Sequence, residues 1–341
     1  MAAWETRLAA AAMAAAAACG APGTVQASES GGRPSLSVPI ACALGEDCWA
    51  FQYFDHDPRA GARDYACGAR SYDGHTGTDF ALRDAAQIEK GVRVLAAAPG
   101  TVRAVRDGMA DRLFEPADRA ALKGKDCGNG VALSHGDGWE TQYCHLREGS
   151  IRVRPGQTVE TGETLGTVGL SGRTQFPHVE LVVRHQGEAI DPFTGPAPGT
   201  RCAADEKSLW SPGARAELGY SPVDILAVGV TGTVPSADKA KAGLLAASTL
   251  PSDSPLLAAW ATLVGVKEGD SLRLSLTAPD GRVLVSNEDR LRRTQIFYFS
   301  FVGDRARSAW PAGDYVARAE LIRSGPGADL RRVGETVVRV R

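Results

Sequence analysis

Three short stretches carry side chains able to hold a divalent cation or move a proton. SYDGHTGTDF places His75 and Asp79 four residues apart. QYCHLRE places His145 in a run that alternates apolar and polar residues. RTQFPHVELVVR places His178 and Glu180 two apart. Imidazole nitrogens and carboxylate oxygens are donors that zinc accepts. Gly74, Gly77 and the threonines around His75 predict a turn entering a strand rather than a helix. Alternate side chains of a strand point to one face, so His178 and Glu180 can converge on one ion.

The other histidines fit that chemistry less well. His185 falls by strand parity on the face opposite His178 and past the expected strand end, which rejects it as a ligand. His135, in His135-Gly136-Asp137-Gly138, reads as structural at a hairpin turn. His56 lies between Asp55 and Asp57, and Pro58 favours a polar turn there over a cation loop. Arg173 lies near the expected groove, and reads either as a carboxylate-binding side chain or as a solvated loop charge.

The elements that must position these residues are short and β-rich. With 39 Gly and 19 Pro, turns recur throughout, which disfavours a helical bundle. VRVLAAAPGTVRAV, CGNGVALSHGDGWETQYCHL and HVELVVRHQGEAIDPF each read as strand, turn, strand. Helical periodicity is confined mainly to a charged insert, 107–125, expected to cover a sheet edge. Residues 28–40 read as a tether and 203–219 as a linker. Beyond the linker, SLRLSLTAPDGRVLVSN, TQIFYFSFVG, GDYVARAELIR and ETVVRVR predict strands of a small immunoglobulin-like β-sandwich over 220–341. At roughly 100–200 residues per domain, 341 residues accommodate two or three domains.

The order H-x-x-x-D, then Y-x-H-L, then P-H-x-x, separated by hairpins, resembles the lysostaphin-type (LytM-like) zinc metallopeptidases. Gly128-Asn129-Gly130-Val131 and His135-Gly136-Asp137-Gly138 resemble that family's central hairpin. Val153-Arg154-Pro155-Gly156-Gln157-Thr158-Val159 and Gly169-Leu170-Ser171-Gly172 resemble its approach to the last motif. The resemblance covers about residues 40–200 and implies an antiparallel β-sheet domain with a narrow groove, placed at 28–202. It implies one Zn²⁺ held by His75, Asp79 and the residue at position 180. It also implies His145 and His178 as catalytic side chains, and peptidoglycan peptides as substrate. Glu180 departs from the family's H-x-H motif, where a second His stands. With two carboxylates and one neutral imidazole a zinc site is neutral rather than singly positive. Such a site acidifies water less and admits harder ions such as Mn²⁺.

The N-terminus and the cysteines bear on compartment. Arg7, the apolar run from Leu8 to Ala18 and Val25-Gln26-Ala27 follow the order of a signal peptide over 1–27. Cleavage before Cys19 with lipid attachment there is a second reading. Setting Cys19 aside, six cysteines remain, an even number that suggests three disulfides in an exported chain. Of the roughly 15 connectivities open to six cysteines, Cys42–Cys48 is favoured within one short loop, Cys127 and Cys144 can pair across a hairpin, and Cys67 with Cys202 would then remain. The expected location is the periplasm or cell envelope, with no transmembrane segment in the mature chain. Net charge is −2, which supplies no field for nucleic acid. The leading expectation is an exported zinc endopeptidase. The alternative is a weakened or inactive module of the same type that binds cell wall or regulates other wall hydrolases. The C-terminal sandwich is a candidate for a protein or glycan partner.

Overall fold

The structure is a computed structural model, and it describes residues 32–196, 207–325 and 329–341. The expected signal segment, Cys19 and Cys202 lie outside the described residues, and with them the expected Cys67–Cys202 pair. The chain is mainly β. Ten strands form its first part: β1 (Cys48–Gln52), β2 (Thr78–Leu82), β3 (Arg93–Leu95), β4 (Gly100–Arg106), β5 (Asn129–Ser134), β6 (Trp139–Leu146), β7 (Thr158–Val159), β8 (Thr164–Thr167), β9 (His178–His185) and β10 (Glu188–Ile190). The principal sheet runs β1-β2-β9-β6-β5-β4-β7, with β10 on the end of β9 and β3-β8 as a separate pair. The pairings within the principal sheet are antiparallel.

Strand β9 shows why this sequence makes this sheet. Val179, Leu181 and Val183 enter the first core beside Tyr143 and Leu133. Their alternates, His178, Glu180, Val182 and Arg184, line a groove on the opposite face. Period-two alternation thus puts chemistry on one face and burial on the other. Each buried branched or aromatic side chain contributes about 1.5–3 kcal/mol to holding the chemical face in place. Among the described residues, Cys42–Cys48 ties a loop to the edge strand β1, and Cys127–Cys144 ties the segment before β5 to the central strand β6.

Three local expectations change. The insert 107–125 is helical only in a 3-10 turn at Pro116–Asp118 and in α1 (Arg119–Leu122). It borders the groove through Phe114 and Arg119 rather than covering a sheet edge. Asp111 draws it there by accepting the backbone N–H groups of Leu170 at 2.6 Å and Glu148 at 2.9 Å. In the stretch read as a tether, the described residues pack: Leu36 and Ile40 are buried in the first core, and Leu36 bridges Trp210. The stretch read as a linker contributes Leu209, Trp210, Ala214 and Leu218 to that same core. There α2 (Pro212–Glu217) starts at Ser211, whose hydroxyl accepts the Ala214 N–H.

Eight more strands follow: β11 (Asp224–Thr231), β12 (Thr249–Leu250), β13 (Leu256–Val266), β14 (Ser271–Thr277), β15 (Val283–Arg290), β16 (Gln295–Arg305), β17 (Gly313–Arg323) and β18 (Leu330–Val340), with α3 (Ala237–Lys241) between β11 and β12. They form a β11-β13-β16 sheet and a β12-β18-β17-β14-β15 sheet. Leu257, Leu263, Leu272, Tyr315 and Leu321 fill a second core between the two. Among the described residues no helix is long and apolar enough to cross a membrane.

A guanidinium ties the two parts together. Arg70 is buried and pairs with Asp224 Oδ2 at 2.7 Å. It donates to the carbonyls of Ser221, Ala50 and Phe51 at 2.6, 2.5 and 3.2 Å. Asp64 holds the Arg70 loop by accepting the N–H groups of Ala66, Gly68 and Arg70 and the hydroxyl of Tyr220. Removing one partner of a buried pair leaves an uncompensated charge and four unmet acceptors. Arg70→Ala is therefore expected to lower unfolding free energy by about 3–5 kcal/mol, measured by urea denaturation of the whole chain. A loss below about 1 kcal/mol, the scale of an exposed ion pair, would refute this role.

Candidate metal centre

The site begins with a repulsion. Asp79 on β2 and Glu180 on β9 are direct cross-strand partners, and like charges so placed disfavour the pairing. Three imidazoles gather around the two carboxylates. His75 Nε2 lies 3.2 Å from Asp79 Oδ1 and 3.6 Å from Glu180 Oε1. His145 Nε2 lies 3.6 Å from Glu180 Oε2, and His178 Nε2 lies 3.6 Å from Asp79 Oδ1. The structure thus brings together all five residues singled out in the three motifs.

Each imidazole is oriented from behind. His75 Nδ1 faces the Tyr53 carbonyl at 2.8 Å, His145 Nδ1 the Ser171 carbonyl at 2.8 Å, and His178 Nδ1 the Phe176 carbonyl at 2.7 Å. A carbonyl only accepts, so each Nδ1 carries a proton, and in the neutral ring Nε2 presents a lone pair to the carboxylates. This backing is the kind that orients metal-binding histidines. His75 Nε2 and Asp79 Oδ1 are buried and have no hydrogen-bond partner. His75, Asp79 and Glu180 each offer an atom within 4.8 Å of the others. Two orphaned buried lone pairs in a mixed nitrogen and oxygen set suit a small divalent cation.

The electrostatics point the same way. Burial disfavours charge on His75, but the Asp79 and Glu180 carboxylates outweigh it and push its pKa up to about 10. On His145 burial is likewise outweighed, chiefly by Glu180, and the pKa is raised. On His178 burial prevails, and the pKa is lowered. Burial would raise the Glu180 carboxyl, but His145 and His75 hold it below the usual carboxylate range. The cluster calls for positive charge between its donors, and a proton or a metal ion can supply it.

His145 reaches the groove against strand parity. Tyr143, two residues earlier, faces the first core, and strict alternation sends His145 the same way. A register shift between β5 and β6 and a φ of 64° at His145 turn its side chain back toward Glu180. A non-glycine residue in that region costs about 1–3 kcal/mol and persists where its surroundings fix it. Here Cys144 is disulfide-bonded to Cys127, whose carbonyl accepts the His145 N–H at 2.8 Å, while the His145 carbonyl accepts the Gly169 N–H at 3.0 Å.

The remaining candidates are placed elsewhere. His185 stacks on Trp139. His135 bonds the Pro99 carbonyl and Thr141. Asp55 accepts the backbone N–H groups of Asp57, Arg63 and Gly74, and His56 bonds Asp191 at 2.6 Å, so this is a tied polar loop. Arg173 lines the groove, 3.7 Å from Asp126. Sequence reasoning missed Tyr72, whose ring stacks on His75 at 4.4 Å. It also missed the purpose of Gly77, where a Cβ would meet the Glu180 side chain at 2.7 Å. The glycine between His75 and Asp79 was the available signal, because close approach needs a residue without Cβ.

Residues 73–192 match the family model described as Peptidase family M23. The chain is 30% identical over 126 residues to an uncharacterized metalloprotease of Haemophilus influenzae, covering 37% of this chain and 22% of that protein. It is 42% identical over 59 residues to the peptidoglycan DD-endopeptidase ShyA of Vibrio cholerae, covering 17% of this chain and 13% of that protein. It therefore spans less than a quarter of the length of these curated relatives. Among solved structures it is similar to a mutant catalytic domain of the prophage-encoded M23 protein EnpA from Enterococcus faecalis, at 22% identity. That match covers 48% of this chain and 97% of the other, with a TM-score of 0.31.

Gly77 gives a test of the site that leaves all five donors in place. Gly77→Ala is expected to displace the Glu180 carboxylate and weaken divalent-metal affinity about 10–100-fold, the scale of other changes just behind a metal's ligands. Competition against a fluorescent chelator reads this, with far-ultraviolet circular dichroism as the folding control. Unchanged affinity would show that the ion does not need Glu180 where the structure puts it.

Proposed function

We propose, proceeding from a chain whose residues 73–192 form a peptidase family M23 domain, that it is a zinc metalloendopeptidase cutting peptide cross-links of bacterial peptidoglycan. The observation that carries this reading is the convergence of three Nδ1-anchored imidazoles on the Asp79 and Glu180 pair. His75, Asp79 and Glu180 hold the ion. Bound there, zinc supplies Lewis-acid polarisation of a scissile carbonyl and lowers the pKa of a water. His145 and His178 do the proton work. With Nδ1–H donated to the Ser171 and Phe176 carbonyls, each ring exchanges its second proton only at Nε2, the nitrogen turned to the groove. The Glu180 carboxylate raises the His145 pKa against burial, so the same contact that orients this ring also tunes its basicity.

The substrate follows the activity named for the Vibrio cholerae relative, and the site of action is then outside the cytoplasm. An exported chain with a signal segment at 1–27 and a periplasmic or envelope location accords with the two disulfides. One observation favours the second reading, a weakened module that binds wall or regulates other hydrolases: Glu180 makes a zinc site neutral.

Elemental analysis of the purified protein is expected to find about one zinc per chain, the stoichiometry of a single catalytic site. His75→Ala is expected to lose it. His145→Ala should keep the metal and lose about 10²–10⁴-fold in peptidoglycan hydrolysis. Glu180→His should keep the metal and raise turnover at neutral pH, since the site regains a positive charge. Stoichiometric zinc in His75→Ala overturns the ligand set. Full metal loading without hydrolysis, in both the native chain and Glu180→His, transfers the conclusion to the second reading.

A further inference from the structure

The groove over the metal cluster has a volume of about 690 Å³, within the range of about 300–1,000 Å³ typical of ligand sites. Part of its wall comes from the C-terminal sandwich. Phe51 of β1 stacks on Phe176 at 5.1 Å, and Phe176 meets Phe297 of β16 at 5.7 Å. Three rings thus form a continuous apolar wall that crosses from one part of the chain to the other. Leu226 and Val264 pack behind it. The Lys241 ammonium, at the end of α3, sits 4.8 Å from the centre of the Phe297 ring. Both Phe297 and Lys241 line the groove.

Lys241 is held there from two sides. Ala240 packs with Trp260 and Leu245 of the sandwich. Gly243, just beyond α3, lies so close to the start of the 3-10 helix at Ala85–Lys90 that a Cβ would meet Ala86 at 2.6 Å and Asp84 at 2.8 Å. The ring of Phe297 steadies the ammonium without neutralising it. Lys241 has no carboxylate ion-pair partner among the described residues, whereas Asp126, the acidic groove residue outside the metal cluster, pairs with Arg173.

We propose that the C-terminal sandwich completes the substrate site: Phe297 takes an apolar part of the peptide, and Lys241 takes a free carboxylate of the same peptide. The preferred substrate is then an anionic peptide, discriminated from its amidated form by a residue outside the 73–192 domain. The inference rests on the peptidase reading for the identity of the ligand. A partly desolvated ammonium forms a charge-assisted pair with a carboxylate, and a carboxamide at the same place supplies no charge.

The test uses the intact zinc-loaded protein and two probes: a cross-linked peptide dimer from peptidoglycan, and the same dimer with its carboxylates amidated. Isothermal titration is expected to show about tenfold tighter binding of the acid, the scale of one charge-assisted hydrogen bond. Lys241→Met keeps an unbranched apolar stem over Phe297, and is expected to bind both probes alike with zinc content unchanged. Phe297→Leu should weaken both probes equally and keep the preference for the acid. No binding of either probe, no preference in the native chain, or a preference that survives Lys241→Met overturns the proposal. Hydrolysis is scored separately. A Lys241-dependent preference without hydrolysis sinks the peptidase reading and keeps the subsite; hydrolysis with no dependence on Lys241 does the reverse.

Discussion

Two carboxylates face each other across neighbouring antiparallel strands, and much of the surrounding structure answers that repulsion. Asp79 and Glu180 sit side by side because β2 and β9 pair in a register set by Val179, Leu181 and Val183 on the other face. The core therefore enforces what the charges oppose. Relief comes from three imidazoles, each turned by a backbone carbonyl: Tyr53 just after β1, and Ser171 and Phe176 in the connection between β8 and β9. Because those carbonyls belong to loops rather than to β2 or β9, the geometry of the cluster depends on loops held by the rest of the fold. Asp64 and Arg70 hold the segment after Tyr53, and Ser171 is fixed in turn by its hydroxyl, which bonds the Leu146 carbonyl and the Asn129 N–H.

One irregular residue sits where this assembly needs it. His145 occupies a left-handed conformation inside a strand, and its neighbour Cys144 faces Glu180 across the ladder. Two consecutive residues of β6 thereby reach the groove side, which a regular strand does not permit. Gly77 gives room for Glu180. The left-handed residue and the close approach both lie within the shell around the five donors.

The motifs made the donors legible, because metal chemistry restricts residue types and strand parity restricts faces. His178 and Glu180 share a face as period two requires, and His185 falls away from them on Trp139. The bulge at His145 was not legible, since alternation in QYCHLRE predicts the wrong side for it. β13 was missed because LLAAWATLVGV does not alternate. Its Leu257 and Leu263 enter the second core, while Val264 and Trp260 pack in clusters on its other side, so both faces read as apolar. The segments taken for tether and linker were misread for a related reason. Their Ser, Gly and Pro content signals turns, but Leu36, Leu209 and Trp210 among those turns are interior residues.

That misreading has a consequence for how such a chain changes over generations. Modules joined by a true linker can be exchanged by recombination, each arriving with its interior intact. Here Trp210 and Leu218 close the core of the first part, and Arg70 ends on Asp224 at the start of the second. A crossover anywhere between 207 and 224 would open one interior or strand a buried cation. Exchanging either part alone therefore costs stability at the seam, whereas the faces of the sandwich turned away from it carry no such constraint.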